Sequence, residues 1–283
     1  MSLRKISTSL RSVPTIEGAG VHLKRAFGYH QVPLFDPFLM LDDFHTSNPD
    51  EYLAGFPWHP HRGIETITYI LEGLVEHGDS MGNKGVIGAG DVQWMTAGSG
   101  IIHQEMPKES PTGTVWGFQF WANLPAASKM MKPRYRDVKA AEIPLLRLDG
   151  GISIKVIAGT VGNVQGPVRD IVIEPEMFDI NIPAGISYKH LLPEGHTAFT
   201  YILDGEGAFD ETGKVYQKET VLLYEREGNT LNILAGGEAL RILLLSGKPL
   251  GEPVAWGGPI VMNTQEELHT AFEEYKNGSF VKH

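Results

Sequence analysis

The sequence predicts an all-β protein built from two small β-barrels in tandem and ending in a short helix. Turn residues are frequent: 33 glycines and 18 prolines make up 51 of the 283 residues, about 18% against an average near 12%. Short apolar runs separated by such turns every 8–12 residues are typical of sandwiches and barrels. A five-residue repeat, Tyr-Ile-Leu-Glu-Gly at 69–73 and Tyr-Ile-Leu-Asp-Gly at 201–205, indicates two copies of one barrel.

The first half begins its β pattern where Thr and Tyr alternate with Ile between Ile64 and Leu71, before a Glu-Gly turn. Glycines at 78, 82, 85, 88 and 90 then separate further short runs. Strands are predicted at residues 64–71, 75–77, 91–95, 101–105 and 115–121. A stretch containing several prolines and lysines, 124–151, is interpreted as the connection between the halves.

The second half repeats this β pattern and closes with the helix. Strands are predicted at 152–158, 171–173, 178–182, 197–203, 220–224, 231–234 and 240–245. Thr264 and Glu267 have the spacing of a capping box, and apolar residues follow at helical intervals. Asn277 and Gly278 supply the stop signal, so we expect one C-terminal helix.

Composition excludes several classes of protein. The chain has 24 basic and 34 acidic residues, a formal net charge of −10, and no basic cluster, which argues against direct binding of nucleic acid. It has no cysteine, which excludes disulfides, thiolate metal sites and cysteine nucleophiles. No run approaches the 18 or so apolar residues of a membrane span, and no complete phosphate-loop motif indicates a nucleotide cofactor. We expect a cytoplasmic protein without membrane contact.

Two pairs of potential metal ligands, each with the spacing of a strand, carry the chemistry. His59 and His61 are two residues apart, so on an extended strand they point to the same face about 7 Å apart. His103 and Glu105 form a second pair of the same spacing on another predicted strand. If the two strands face each other in a barrel, three imidazoles and a carboxylate meet at one centre. Glu65 is an alternative fourth ligand, or an acceptor that orients one imidazole.

Three nitrogens and one carboxylate oxygen suit a transition metal, namely Fe, Mn, Ni, Cu or Zn. An octahedral ion held by four protein ligands keeps two positions for substrate, water or O₂.

Four segments around these histidines resemble the pirin family, within the cupin superfamily: His-Pro-His-Arg-Gly-Ile-Glu-Thr at 59–66, Gly-Val-Ile-Gly at 85–88, Gly-Asp-Val-Gln-Trp-Met-Thr-Ala-Gly at 90–98 and Gly-Ile-Ile-His-Gln-Glu-Met-Pro at 100–107. The resemblance implies a bicupin with one mononuclear metal, usually Fe(II), in the first barrel. It implies that His59, His61, His103 and Glu105 are the ligands. We therefore expect a metal-binding cupin domain at 1–130 and a second cupin domain without metal ligands at 131–283.

The second copy of the repeat is expected to lack the ligand set. Alignment on the repeat places four apolar residues opposite the four candidate ligands: Leu191, Pro193, Leu231 and Ile233. His190 and His196 lie nearby but out of register in this alignment. They are interpreted as surface or loop histidines.

Other polar and aromatic residues near the motif have simpler interpretations. Asp42, Asp43 and His45 are expected to form a solvated loop. Phe56 and Trp58 flank the first histidine pair, and either core packing or an aromatic substrate pocket accounts for them.

The resemblance implies a dioxygenase of the quercetin 2,3-dioxygenase type, which cleaves a flavonol or similar small aromatic enol with O₂. Glu105 is the expected catalytic residue, because a metal-bound carboxylate in such enzymes accepts the proton of the substrate hydroxyl. The alternative is a non-catalytic, metal-dependent regulatory pirin that acts through a protein partner. Zinc-dependent hydrolysis or isomerisation on the same scaffold is a third hypothesis.

Overall fold

The computed structural model describes residues 2–110 and 112–283, and the protein is predominantly β with one α-helix, as predicted. No helix in these described ranges is long and apolar enough to cross a membrane. The strands are, in chain order, β1 (Ile6–Arg11), β2 (Val13–Glu17), β3 (Val21–Phe27), β4 (Phe38–Thr46), β5 (Phe56–His61), β6 (Ile64–Glu72), β7 (Leu74–Asp79), β8 (Lys84–Ile87), β9 (Val92–Thr96), β10 (Ile101–Lys108), β11 (Val115–Asn123), β12 (Arg134–Val138), β13 (Leu145–Arg147), β14 (Ser153–Ala158), β15 (Thr160–Val161), β16 (Val164–Gln165), β17 (Glu176–Ile182), β18 (Ser187–Leu191), β19 (Thr197–Asp204), β20 (Glu206–Ala208), β21 (Val215–Gln217), β22 (Thr220–Tyr224), β23 (Thr230–Ala235), β24 (Leu240–Gly247), β25 (Ala255–Gly257) and β26 (Ile260–Met262). The helix is α1 (Gln265–Lys276), and five single-turn 3₁₀ helices cover Tyr29–Gln31, Pro49–Glu51, Ala126–Ser128, Ala140–Glu142 and Asp149–Gly151.

The chain forms two compact units. The N-terminal unit consists of Val13–Leu34, Phe38–Ala140 and Leu250–His283. The C-terminal unit consists of the residues up to Ser12, together with Phe35–Pro37 and Ala141–Pro249. These units differ from the predicted halves 1–130 and 131–283 because each contains a segment from the far end of the chain.

Each unit pairs a seven-stranded sheet with a four-stranded sheet. In the N-terminal unit the strand orders are β12-β9-β6-β11-β4-β3-β2 and β5-β10-β7-β8. In the C-terminal unit they are β1-β22-β19-β24-β17-β14-β13 and β18-β23-β20-β21. The two sets correspond position by position, with β6 matching β19 as the five-residue repeat predicts. The tandem-barrel prediction is confirmed.

Two edge strands account for part of the difference in boundaries. Strand β1, first in the chain, pairs antiparallel with β22 at the edge of the C-terminal unit. The equivalent edge of the N-terminal unit is filled by β12, which pairs with β9. Strand β12 lies within 124–151, so part of the stretch interpreted as a connection between the halves is a strand of the sheet.

One predicted strand is wrong. Residues 171–173 form a turn in which Glu174 N donates to Ile171 O at 3.1 Å. Ile171 and Ile173 are nevertheless buried. A short apolar run indicates that a segment is buried, but a buried segment need not be extended. The apolar residues at 171–173 therefore could not distinguish a strand from a turn.

The C-terminal helix forms as predicted. Thr264 Oγ1 accepts from the backbone N–H of Glu267 at 3.1 Å, and Glu267 Oε2 accepts from the backbone N–H of Thr264 at 3.0 Å. This is a complete capping box. Leu268 and Ala271 are its buried residues, and the helix packs against β25 and β26.

A buried lysine ties the C-terminal segment to the rest of the N-terminal unit. Lys129 is 1% exposed. Its ammonium donates to Gly63 O at 2.9 Å, Asn123 Oδ1 at 2.7 Å and Val261 O at 2.9 Å. All three of its protons are therefore used, as burial of a charge requires.

Replacing Lys129 by Met is expected to lower the free energy of unfolding by about 3 kcal/mol, because three buried acceptors lose their donor. Chemical denaturation of Lys129→Met measures this. Lys132→Met is the matched control, since Lys132 is exposed and should change stability little. Equal stability of both variants would contradict the structural role of Lys129.

Candidate metal centre

Adjacent strands of the four-stranded sheet bring the two pairs of candidate ligands together. Strands β5 and β10 are antiparallel, with His103 directly opposite His59 and Ile101 opposite His61. The register then shifts, so that Glu105 lies opposite Phe56. Such a bulge re-aims the side chains that follow it. Along β10 buried and half-buried positions alternate, and both His103 and Glu105 fall on the buried side.

The three imidazoles converge on one point. His59 Nε2 lies 3.0 Å from His61 Nε2 and 2.9 Å from His103 Nε2. Two nitrogens bound at right angles to one ion at about 2.1 Å would be about 3.0 Å apart. Within the described ranges, these histidines form the one group of three potential metal ligands with all ligand atoms within 4.8 Å of one another.

The outer nitrogens of two imidazoles are held by backbone carbonyls. His59 Nδ1 lies 2.8 Å from Pro57 O, and His61 Nδ1 lies 3.0 Å from Pro259 O. A carbonyl can only accept, so each Nδ1 carries the proton and each Nε2 presents its lone pair to the centre.

The electrostatics also suit a cation. Burial lowers the pKa of His59 and places the pKa values of His61 and His103 well below the usual histidine value. The three rings are therefore neutral near pH 7, the form that binds metal. Donor type, nitrogen spacing and protonation all fit a transition metal.

Glu105 reaches the same pocket as His59 and His61. Its side chain lines that pocket together with His59 and His61, and Thr68 Oγ1 donates to its Oε1 at 2.6 Å. Burial raises its pKa to about 7, although the Thr68 bond acts in the opposite direction. Glu105 is thus poised to exchange a proton near neutral pH.

Glu65, the alternative ligand, is hydrogen-bonded to a threonine of the neighbouring strand β9. It is 1% exposed, and its Oε1 accepts from Thr96 Oγ1 at 2.6 Å. It does not line the pocket that Glu105 shares with His59 and His61. The pocket lining is consistent with Glu105 as the fourth ligand, and that assignment stays a prediction.

The centre opens into a pocket of about 590 Å³, which is large enough for a small organic molecule. A row of rings leads away from the histidines: His61 to Trp121 at 5.1 Å, Trp121 to Trp256 at 5.6 Å, and Trp256 to Tyr29 at 5.6 Å between centroids. The pocket is lined by Glu17, Gly18, Leu23, Arg25, Tyr29, Met40, Asp42, Phe44, Phe56, Pro57, His59, His61, Glu105, Gln119, Trp121, Trp256, Gly258 and Pro259.

The expected solvated loop around Asp42 is wrong. Asp42 and Asp43 lie on β4 and are 3% and 7% exposed. Arg25 on β3 makes two bonds of 2.7 Å to the Asp42 carboxylate, which compensates the buried charge. His45 stays exposed at the end of β4. Sequence reasoning missed this pair because Arg25 gives no local signal.

The two aromatic residues beside the first histidine pair have different surroundings. Phe56 lines the pocket, whereas Trp58 is 53% exposed and belongs to neither core nor pocket.

Thr68→Val is expected to weaken metal binding about tenfold, because it removes the hydroxyl that orients the Glu105 carboxylate while keeping its shape. Competition with a chromophoric chelator measures the affinity. Thr66→Val is the matched control on the same strand, since the Thr66 hydroxyl has no hydrogen-bond partner in residues 2–110 or 112–283. Equal affinities of the two variants would exclude a positioning role for Thr68.

The sheet registers define which residues of the C-terminal unit are equivalent to the centre. Strands β7 and β20, related by the repeat offset of 132, pair with β10 and β23 so that Pro107 and Ala235 occupy equivalent places. Counting back four residues along each strand, Leu231 is equivalent to His103. This part of the sequence alignment agrees with the structure.

The neighbouring strand corrects the alignment. His103 lies opposite His59, and Leu231 lies opposite His190. His190, and not Leu191, is therefore equivalent to His59. A shift of one residue along a strand moves every side chain to the other face, so the expected surface position of His190 is wrong.

Both extra histidines are buried in the C-terminal unit. His190 is 5% exposed, with its Nδ1 3.1 Å from Tyr188 Oη and its Nε2 3.5 Å from a Glu176 oxygen. His196 lies in a loop, as expected, but is 6% exposed. The remaining positions equivalent to the centre are apolar: Leu192, Leu231 and Ile233.

Comparison with known proteins identifies the family of the chain. The pirin family model matches residues 20–122, and the model of the pirin C-terminal cupin domain matches residues 177–281. The chain is 44% identical to a Pseudomonas aeruginosa protein named "Putative quercetin 2,3-dioxygenase", over 94% of both chains. It is 41% identical to a pirin-like protein of Caulobacter vibrioides, over 99% of this chain and 100% of the relative.

A solved structure supports the same family assignment. A quercetin 2,3-dioxygenase from Acinetobacter baumannii superposes with a TM-score of 0.91 at 32% identity, covering 99% of this chain and 100% of that one. Both family models match in chain order and relatives align over nearly the full length, and the chain therefore belongs to the pirin family.

Proposed function

We propose that this pirin is a metal-dependent dioxygenase that cleaves a flavonol or a similar aromatic enol with O₂. One observation carries the proposal: three imidazole nitrogens converge, and two of these histidines, His59 and His61, line a pocket together with Glu105 and a row of aromatic rings. Relatives and a solved structure that bear the quercetin 2,3-dioxygenase name support the same reaction class.

His59, His61, His103 and Glu105 would hold the metal, which we propose is Fe(II). When bound, such an ion supplies a Lewis acid and a one-electron redox centre for the substrate and O₂. The Nδ1 bonds to Pro57 and Pro259 keep the imidazoles of His59 and His61 in the binding orientation.

Glu105 would remove the proton from the enolic hydroxyl of the substrate. Thr68 holds one of its oxygens at 2.6 Å, which fixes the direction of the other. The ionised carboxylate that binds a metal is also the form that can accept this proton. The aromatic row would pack against the planar substrate and exclude water.

The test measures O₂ uptake by the Fe(II)-loaded protein with flavonols. We expect uptake by the wild type and a loss of at least about 100-fold in Glu105→Gln. Glu65→Gln is the matched control, because Glu65 is also buried and also accepts from a threonine at 2.6 Å. No uptake with any flavonol, or equal rates in the two variants, would overturn the proposal.

A further inference from the structure

In the seven-stranded sheet of the N-terminal unit, one row of directly opposed residues consists of polar side chains. Thr68 on β6 lies opposite Gln119 on β11, Gln119 lies opposite Asp42 on β4, and Asp42 lies opposite Arg25 on β3. Directly opposed residues share a face of the sheet. The row therefore runs along one wall, starting at the threonine that contacts Glu105.

Apolar side chains flank this row on both sides. Trp121 lies opposite Met40 in one neighbouring row, and Phe44 lies in the other. All three line the pocket, as do Gln119, Asp42 and Arg25. A flat apolar molecule on this wall would therefore meet one narrow polar strip.

Asp42 is an acceptor with spare capacity in that strip. Its side chain is 4% exposed. Arg25 donates one bond of 2.7 Å to each of its oxygens. An ionised carboxylate can accept about four hydrogen bonds, so a hydroxyl donor in the pocket can still be bound.

The charge around Arg25 excludes anionic groups. Its guanidinium is shared between Asp42 and Glu17, whose Oε1 accepts at 2.9 Å. One positive and two negative charges leave this end of the pocket with a formal charge of −1. A carboxylate on the ligand would meet repulsion there, whereas a neutral hydroxyl would not.

We propose that Asp42, oriented by Arg25, is a subsite that selects uncharged aromatic substrates with a hydroxyl group remote from the metal and rejects remote carboxylates. The inference rests on the proposed function, since it specifies the substrate of that site. Two strand spacings separate the backbone of Asp42 from that of Thr68, roughly 10 Å. The preferred ligand therefore spans about that length between its enol and its remote hydroxyl.

The test measures ligand binding without turnover. Quenching of tryptophan fluorescence is a direct readout, because Trp121 and Trp256 line the pocket. The metal-loaded protein is titrated anaerobically with 3-hydroxyflavone, with its 4′-hydroxy and 7-hydroxy derivatives, and with the matching carboxylates. We expect one hydroxy derivative to bind about tenfold more tightly than 3-hydroxyflavone, and its carboxylate counterpart to bind more weakly than either.

Asp42→Asn is expected to reduce the hydroxyl preference to about twofold or less and to leave the affinity for 3-hydroxyflavone within about twofold, because a neutral amide is a weaker acceptor. Glu17→Gln is the control: it also removes a charge beside Arg25 but should keep the hydroxyl preference. Thermal unfolding of both variants verifies that they are folded. The ligand series with the wild-type protein tests the subsite even if a variant does not fold.

The outcomes separate the two proposals. If flavones bind but the remote hydroxyl makes no difference, or the carboxylates bind equally well, the subsite is wrong and the dioxygenase proposal stands. If no flavone binds at all, both are overturned.

Discussion

The double variant His59→Ala/His61→Ala is expected to bind no divalent transition metal above background and to lose all O₂ uptake. Two of three converging nitrogens disappear, and metal affinity should fall by at least about 1,000-fold. The rise in melting temperature that metal gives the wild type should vanish with it. Elemental analysis of the purified proteins measures the first effect and differential scanning fluorimetry the second.

The C-terminal unit offers the matched control for this variant. His190 occupies the position equivalent to His59, but its three equivalent neighbours are apolar. His190→Gln should therefore leave the metal content unchanged. Metal loss in His190→Gln but not in the double variant would place the metal in the other unit and contradict the account.

Gly63→Ala is expected to lower the free energy of unfolding by roughly 4 kcal/mol and to weaken metal binding about tenfold. Gly63 has φ of +77°, and a Cβ there would lie 1.9 Å from Val261 O. The backbone bond of 3.1 Å from Val261 N to Arg62 O would have to break. That shift would also move Pro259, whose carbonyl holds His61.

The control separates the clash from the backbone conformation. Gly82 has φ of +89°, and no atom of the described residues other than its chain neighbours lies within 4 Å of an added Cβ. Gly82→Ala should therefore cost only the left-handed penalty, about 1 kcal/mol, with metal affinity unchanged. Denaturation and chelator competition on both variants decide. If Gly63→Ala lowers the free energy of unfolding and the metal affinity no more than Gly82→Ala does, the close approach of Val261 to Gly63 is unimportant.

Local patterns predicted those parts of the fold that depend on neighbouring residues. The capping box at Thr264 needs only contacts three residues apart, and the metal motif needs only strand spacing in β5 and β10. The five-residue repeat, together with the pirin resemblance, predicted two barrels, and equivalent strands keep their place in the sheet even where the loops differ in length.

Register could not be predicted from the repeat alone. The offset between equivalent residues is 132 at β6 and β19, 131 between His59 and His190, and 128 between His103 and Leu231. Loops of different length between strands cause these changes. A one-residue error was enough to turn His190 outward in the alignment.

Contacts between distant parts of the sequence could not be predicted either. His61 and Pro259 are 198 residues apart, so no local pattern indicates that the C-terminal segment orients a candidate ligand. Two adjacent aspartates suggest a loop because an isolated buried carboxylate is costly. Only the pairing of β3 with β4 reveals that Arg25 compensates Asp42.

Anomalous diffraction at the absorption edge of the bound metal, from crystals of the holo protein, locates the ion and its ligands. We expect one peak, about 2.0–2.2 Å from the Nε2 atoms of His59, His61 and His103 and from one oxygen of Glu105. A peak bound by Glu65 in place of Glu105, or located in the C-terminal unit, would contradict this expectation.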